Sequence, residues 1–353
     1  MYIRRIYSPL QLLRWTRFDL AIFLGISFVS VFIFAVLGFH WAHLPWLPIA
    51  LVGTAVAFIL GFQNNASYDR AWEARKIWGG ITNVSRTFGT MINDFVTDLF
   101  TEVPVSDGEL DVIRRRMARR HIAWLTALRH AMRAERPWEQ FGLYHTNREW
   151  RERVDAREHS MTLEEDIDGL LADEDWAAVK DKANPAAQII ALQSHELEAL
   201  RRRGLIDCFR HMEMQNRLAE MLDLQGRSER IKNFPYPRQY ATLNWLFVMI
   251  FVVLVPFGTV DAFWELGQEL RDEHPLVAPW IVWLNVPFGA LVMWVFHTTE
   301  RIGRVTENPF EGSANDVPIT TMARGIEIDL LQMIGEDPAS IPAPIEPIDG
   351  VQS

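Results

Sequence analysis

The chain has 353 residues, a net charge of −10 and one cysteine, Cys208. The acidic balance argues against nucleic acid as a partner, and a single cysteine excludes an intramolecular disulfide framework. The length leaves room for a membrane layer and a sizeable soluble layer beside it.

The first apolar run, residues 18–39, follows Arg4, Arg5, Arg14 and Arg17. It is too long for a signal-peptide core and no A-x-A site follows it, so it reads as a membrane helix. Further apolar runs cover 47–65, 241–263 and 277–298. Each approaches the about 20 residues that a helix needs to cross a bilayer core. Only helices and closed barrels satisfy their backbone groups in lipid, so the expected fold is an all-α membrane protein with four transmembrane helices in two pairs. Basic residues flank the runs on one side: Arg70, Arg75, Lys76, then Arg227, Arg230, Lys232, Arg238, then Arg301 and Arg304. The connection 40–46 has no Lys or Arg, and 264–276 holds four acidic residues against Arg271. By the positive-inside rule, both termini and the middle of the chain are expected in the cytoplasm, with Trp15, Trp41, Trp46, Trp264 and Trp280 at the water boundaries.

The expected organisation is therefore 1–65 (N-terminal segment and first helix pair), 66–240 (cytosolic helical domain) and 241–300 (second pair). A cytosolic helical segment, 301–334, and an extended Pro-rich tail, 335–353, complete it. Ser106 and Glu109 form an S-x-x-E capping box ahead of a basic run carrying Arg114, Arg115, Arg116, Arg119 and Arg120. That run reads as a solvated helix face. Acidic residues 164–175 read as a soluble loop or short helix. A helical pattern from Pro185 to Leu224 has a weak point at Gly204, and Cys208 within it reads as a core filler.

Enzyme signatures are missing: no H-E-x-x-H, CxxC, P-loop or G-x-S-x-G with triad partners occurs. His297, Glu300 and Arg301 read as an interfacial anchor rather than a metal half-site. Asn244 and Asn285 are expected to bond neighbouring helices, and no Lys, Arg or Glu sits at the centre of a span, against a proton-coupled carrier. Thr54, Phe58 and Phe62 fall at i, i+4 and i+8, on one helix face. Such a stripe packs a core, or it forms a hydrophobic constriction when symmetric copies surround an axis.

Gly61-Phe62 with Tyr68-Asp69-Arg70-Ala71-Trp72-Glu73-Ala74-Arg75 and Trp78-Gly79 resembles the bestrophin signature, especially its bacterial branch. So do Glu307-Asn308-Pro309-Phe310-Glu311-Gly312 and Ile326-Glu327-Ile328-Asp329-Leu330-Leu331. The resemblance runs from the first membrane helix to about Ile334. It implies a homopentameric ion channel of the cell (inner) membrane, with a single central pore and neither enzyme activity nor a cofactor. By position, Thr54, Phe58 and Phe62 would form the neck, Thr54 being smaller than the apolar residue usual in bacterial relatives. Ile190 would form a cytosolic aperture near a helix start. Asp69, Arg70, Trp72, Asn308, Pro309 and Phe310 would be structural signature residues. Animal relatives hold calcium after the Asn-Pro-Phe turn, but Glu311 and Asp316 are too few carboxylates for such a site, so no metal is expected. The resemblance and the acidic composition favour small monovalent cations such as sodium; the alternatives are a chloride-selective channel of the same build or a membrane-anchored scaffold.

Overall fold

The computed structural model describes residues 1–139, 144–153 and 157–353. The helices are α1 Pro9–Trp15, α2 Arg17–Val31, α3 Trp46–Phe95, α4 Asp107–Arg133, α5 His145–Arg153, α6 Arg157–Ser160 and α7 Leu163–Ile167. After them come α8 Asp173–Val179, α9 Pro185–Arg202, α10 Cys208–Asn233, α11 Arg238–Glu269, α12 Asn285–Thr306 and α13 Ile319–Met333. Among the described residues there is no β-strand, only the isolated bridges Tyr2–Val351 and Ile348–Val351. The fold is all-helical. Two compact units share the chain: an apolar one (Arg5–Asp69, Pro235–Glu307) and a charged one (Met1–Arg4, Arg70–Phe234, Asn308–Ser353).

In the apolar unit, four helical stretches are long and apolar enough to cross a membrane: Arg17–Val36, the start of α3, Arg238–Glu269 and Ala278–Thr306. Packing rather than hydrophobicity must hold such helices together in lipid, and small residues let their backbones approach. Gly53 faces the Phe251 ring, Gly258 faces Ile49, and Gly289 faces the Ser27 hydroxyl at 2.8 Å from where a Cβ would sit. Pro256 lies inside α11 and cannot donate. Asn285 Nδ2 donates to the Pro256 carbonyl at 3.0 Å, while Asn285 Oδ1 accepts from Thr259 Oγ1 at 2.6 Å. Asn244 Nδ2 donates to Gln63 Oε1 at 3.1 Å. Both asparagines thus tie neighbouring helices, as their position in apolar runs required.

The expected interfacial anchor is instead a buried ionic cluster. His297, Glu300 and Arg301 are all buried. Arg301 Nη1 reaches Asp19 Oδ2 at 2.5 Å and its guanidinium stacks 4.1 Å over the Trp15 ring. Arg301 thus meets Asp19 of α2, Glu300 pairs with Arg304 within α12, and Glu307 pairs with Arg238 of α11, so each of these charges has an ionic partner where lipid cannot hydrate it.

The charged unit builds its core from α3, α4, α9, α10 and α13, around Trp78, Phe88, Trp124, Leu128, Leu197, Met221 and Ile326. Ser106 Oγ accepts from Glu109 N, but the Glu109 carboxylate pairs with Arg203 instead of closing the expected box. A full capping box forms at Thr162 and Glu165. The two charge runs, expected to be solvated, partly satisfy each other. Arg120 is buried and donates to Asp175 at 2.7 Å; Arg129, also buried, donates to Asp166 at 2.9 Å. Arg115, Arg116 and Arg119 keep the exposed edge, pairing with Glu336 and Glu196. Cys208 is exposed in the first turn of α10, not a core filler. The tail is extended, yet it docks: Val351 is buried, Ile3 N donates to Gly350 O at 2.9 Å, and Thr321 N to Ser353 O at 2.9 Å.

The weak point at Gly204 is a true break between α9 and α10. Its φ is +73°, and a Cβ there would sit 2.6 Å from the Phe100 carbonyl oxygen. A left-handed conformation costs a non-glycine residue about 1–3 kcal/mol, and backbone cannot yield as a flexible side chain does. Gly226, inside α10, has open space around it, where alanine gains about 0.5–1 kcal/mol of helix propensity. Gly204→Ala should therefore lower, and Gly226→Ala raise, the unfolding temperature of the detergent-solubilised protein followed by helical circular dichroism.

Candidate functional site

The start of α3 has two unlike faces. Gly53, Val56, Leu60, Gln63 and Ser67 are buried against the other helices of the apolar unit. Thr54, Phe58 and Phe62 lie opposite and are exposed, the two rings at 67% and 74%. Aromatic side chains of this size normally bury their surface. Here they stand clear of the protomer's own core, so the core-packing reading of the stripe does not hold. Thr54 turns its hydroxyl back to the Ala50 carbonyl at 2.9 Å, leaving its methyl group on the outer face. Asp69 lies on the same outer face and is exposed.

The pattern persists in the part of α3 that belongs to the charged unit. Ala74, Ile77, Trp78, Ile81, Phe88 and Ile92 are buried, whereas Trp72, Lys76, Asn83, Thr87, Thr90 and Asp94 are exposed. The exposed residues are apolar or aromatic near Phe58 and mostly polar from Asn65 onward. Arg70 turns away from this face and donates Nη2 to the Ile231 carbonyl at 3.0 Å.

Ile190 is placed elsewhere. It is only 3% exposed and packed among the core residues of the charged unit. A side chain enclosed by its own protomer does not narrow an open path, so the aperture expected at Ile190 is not supported by its position. In the charged unit, Phe209 is an apolar residue exposed (80%) in the first turn of a helix, α10, whose N-cap Asp207 accepts from Arg210 N at 2.8 Å. The signal was available in the sequence as Gly204 followed by an Asp N-cap, a break-and-restart that sets Phe209 at a helix start. A helix continued through Gly204 gives no such start.

The Asn308-Pro309-Phe310 segment forms a tight, buried turn. Phe310 is buried, its carbonyl accepts from Arg133 Nη1 at 2.8 Å, and Asn308 Nδ2 donates to Glu311 Oε1 at 2.6 Å. Asp316 accepts from Gly312 N at 2.7 Å and Ser313 N at 2.9 Å, with Ser313 Oγ on its other oxygen at 2.6 Å. Burial raises the Asp316 pKa, against the hydrogen bonds from Ser313 and the nearby Arg133 charge. The Glu311 and Asp316 oxygens are thus engaged within the loop. Among the described residues no group of three or more His, Cys, Asp or Glu side chains is arranged to hold a metal ion.

His121 of α4 holds α3 from behind. Its Nε2 is 2.9 Å from Ser85 Oγ, and it is wedged between Phe88 and Trp124.

The bacterial and fungal bestrophin family model matches residues 15–271. The chain belongs to that family, and so to a family of ion channels. It is 28% identical over 300 residues to the voltage-dependent anion channel-forming protein YneE of Escherichia coli K12, covering 85% of this chain and 80% of that one. It is 27% identical over 303 residues to the voltage-dependent anion channel-forming protein RSc3414 of Ralstonia nicotianae, covering 83% and 82%. The fold resembles the crystal structure of a bacterial bestrophin homolog from Klebsiella pneumoniae with a TM-score of 0.70 at 23% identity, over 91% of this chain and 99% of that one.

Burial lowers the His121 pKa from 6.5 to about 3. The unfolded chain takes up a proton below pH 6.5 that the folded chain refuses, so this residue's contribution to stability is lost as pH falls from about 6.5 toward 3. His121→Gln keeps a hydrogen-bonding partner for Ser85 without the titration. Unfolding temperatures measured across that window should fall less steeply for the variant than for the wild type, by up to about 1.4 kcal/mol per pH unit.

Proposed function

We propose that copies of this chain surround an axis and form an anion channel, with the exposed face of α3 lining the path. Thr54, Phe58 and Phe62 then make a narrow apolar neck. The observation that carries this reading is the pair of exposed phenyl rings on a membrane-length helix whose residues Gly53, Val56, Leu60 and Gln63 are buried on the opposite side. Four helices of one protomer cannot enclose a pore, and an outward aromatic stripe is explained if symmetry closes it into a ring. The family resemblance supports five copies.

A constriction of this kind controls conduction by excluding water rather than by holding charge. The relatives' names speak for anions, as does the positive edge of a phenyl ring turned toward the path. The preference for sodium expected from the acidic composition has less behind it: many of the carboxylates are engaged in ion pairs, such as Asp166, Asp175 and Glu158, and do not reach the outer face of α3. In this reading the protein sits in the inner membrane, with the arginine-rich ends and the charged unit in the cytoplasm. The exposed Phe209 side chains at the start of α10 form, in this reading, the second, cytosolic constriction in place of Ile190.

The test is recording of purified protein in planar bilayers under an asymmetric sodium chloride gradient. A reversal potential near the chloride equilibrium value is expected, and one near the sodium value would overturn the anion assignment. Phe58→Ala and Phe62→Ala should each raise unitary conductance several-fold, since each about 1.4 kcal/mol removed from a barrier is about tenfold in rate. Both variants should keep the oligomeric mass of the wild type. A protein that assembles but never conducts would be a scaffold.

A further inference from the structure

We infer that Asp69 is a charge-selecting residue of the path, working against the anion preference of the neck. The inference rests on the channel reading above and concerns what limits its selectivity. Asp69 follows Phe58 by eleven residues, which is three full turns plus about 20° of rotation at 3.6 residues per turn. Thr54 and Phe62 stand about 40° to either side of Phe58 by the same geometry. Asp69 therefore lies inside the angular span of the neck residues, two turns beyond Phe62 and about 10 Å further along the axis.

Its side chain is exposed and makes no hydrogen bond or ion pair with any described residue. The adjacent cation does not neutralise it, because Arg70 points inward to the Ile231 carbonyl. In a closed ring of copies, one such carboxylate per protomer becomes a ring of negative charge just past the apolar constriction. Rings of Asp or Glu at a constriction concentrate cations and repel anions, and low-dielectric walls focus that field. The neck would then select weakly for anions because its exit carries the opposite preference. Other carboxylates packed into helix–helix contacts, such as Asp19 and Glu307, are paired and do not contribute in this way.

The experiment compares wild type, Asp69→Asn, Asp69→Ser and Asp69→Glu as purified full-length protein in planar bilayers. Reversal potentials are read under sodium chloride gradients at about 0.05 M and about 1 M ionic strength, where the screening length falls from above 10 Å to about 3 Å. At low salt, both neutral variants should raise the chloride-to-sodium permeability ratio by about two- to tenfold, and Asp69→Glu should behave as wild type. The difference should collapse at high salt, which a merely structural role would not produce. An unchanged ratio at low salt in both neutral variants overturns the inference, and so does an equal shift at both salt concentrations. If the Phe62→Ala conductance increase persists beside either negative result, the channel reading stands and only the role of Asp69 is lost.

Discussion

One helix must satisfy two environments at once, and that constraint organises this protein. The packed face of α3, from Ile49 through Val56, Leu60, Trp78, Ile81 and Phe88, supplies core residues to the apolar unit and then to the charged unit. In the charged unit, burial of such side chains is worth about 25 cal/mol per Å2 of apolar surface, and in the apolar unit close packing takes that part, so the rotational phase of the helix is strongly fixed. The opposite face inherits its orientation from that phase. Phe58, Phe62 and Asp69 are exposed because Val56, Leu60 and Gln63 are not. A rotation of about 100°, the angle between successive residues, would bury a phenyl ring and expose Gln63, breaking its bond to Asn244.

The supporting shell has the same logic in different chemistry. In the apolar unit, close backbone approach at Gly53, Gly258 and Gly289 and the Asn285–Pro256–Thr259 bonds replace the hydrophobic drive that lipid cannot provide. In the charged unit, arginines of α4 reach carboxylates on α7, α8 and α9 across buried contacts. Removing one partner of such a pair leaves an uncompensated charge, costing more than the pair itself contributes. These pairs therefore fix the arrangement of short helices that carry little apolar surface of their own.

Much of the architecture was legible in sequence because length and apolar character are local properties. The four spans and the helix start at Pro185 follow from composition and backbone chemistry, whereas Gly204 reads only as a weak point in one helix and is in fact a break. The site was legible only in part. The spacing of Thr54, Phe58 and Phe62 puts them on one face, but periodicity is the same whether a stripe packs inward or faces out. Ile190 was misplaced because an apolar residue near a helix start reads alike in a core and at an opening. The charge runs misled for a related reason: Arg120 and Asp175 are 55 residues apart in the chain, and their pairing leaves no local trace.

What the sequence by itself determined is the class of the molecule. Long apolar helices can satisfy their backbone groups in lipid, and the Asp69-Arg70 and Asn308-Pro309-Phe310 motifs tie the chain to its family. What only the tertiary structure decided is which side of each helix meets solvent and which charges are neutralised. Those depend on residues distant in sequence arriving at the same place: Gln63 against Asn244, Asp19 against Arg301. Facing direction is a property of packing, and packing is not written in any one segment.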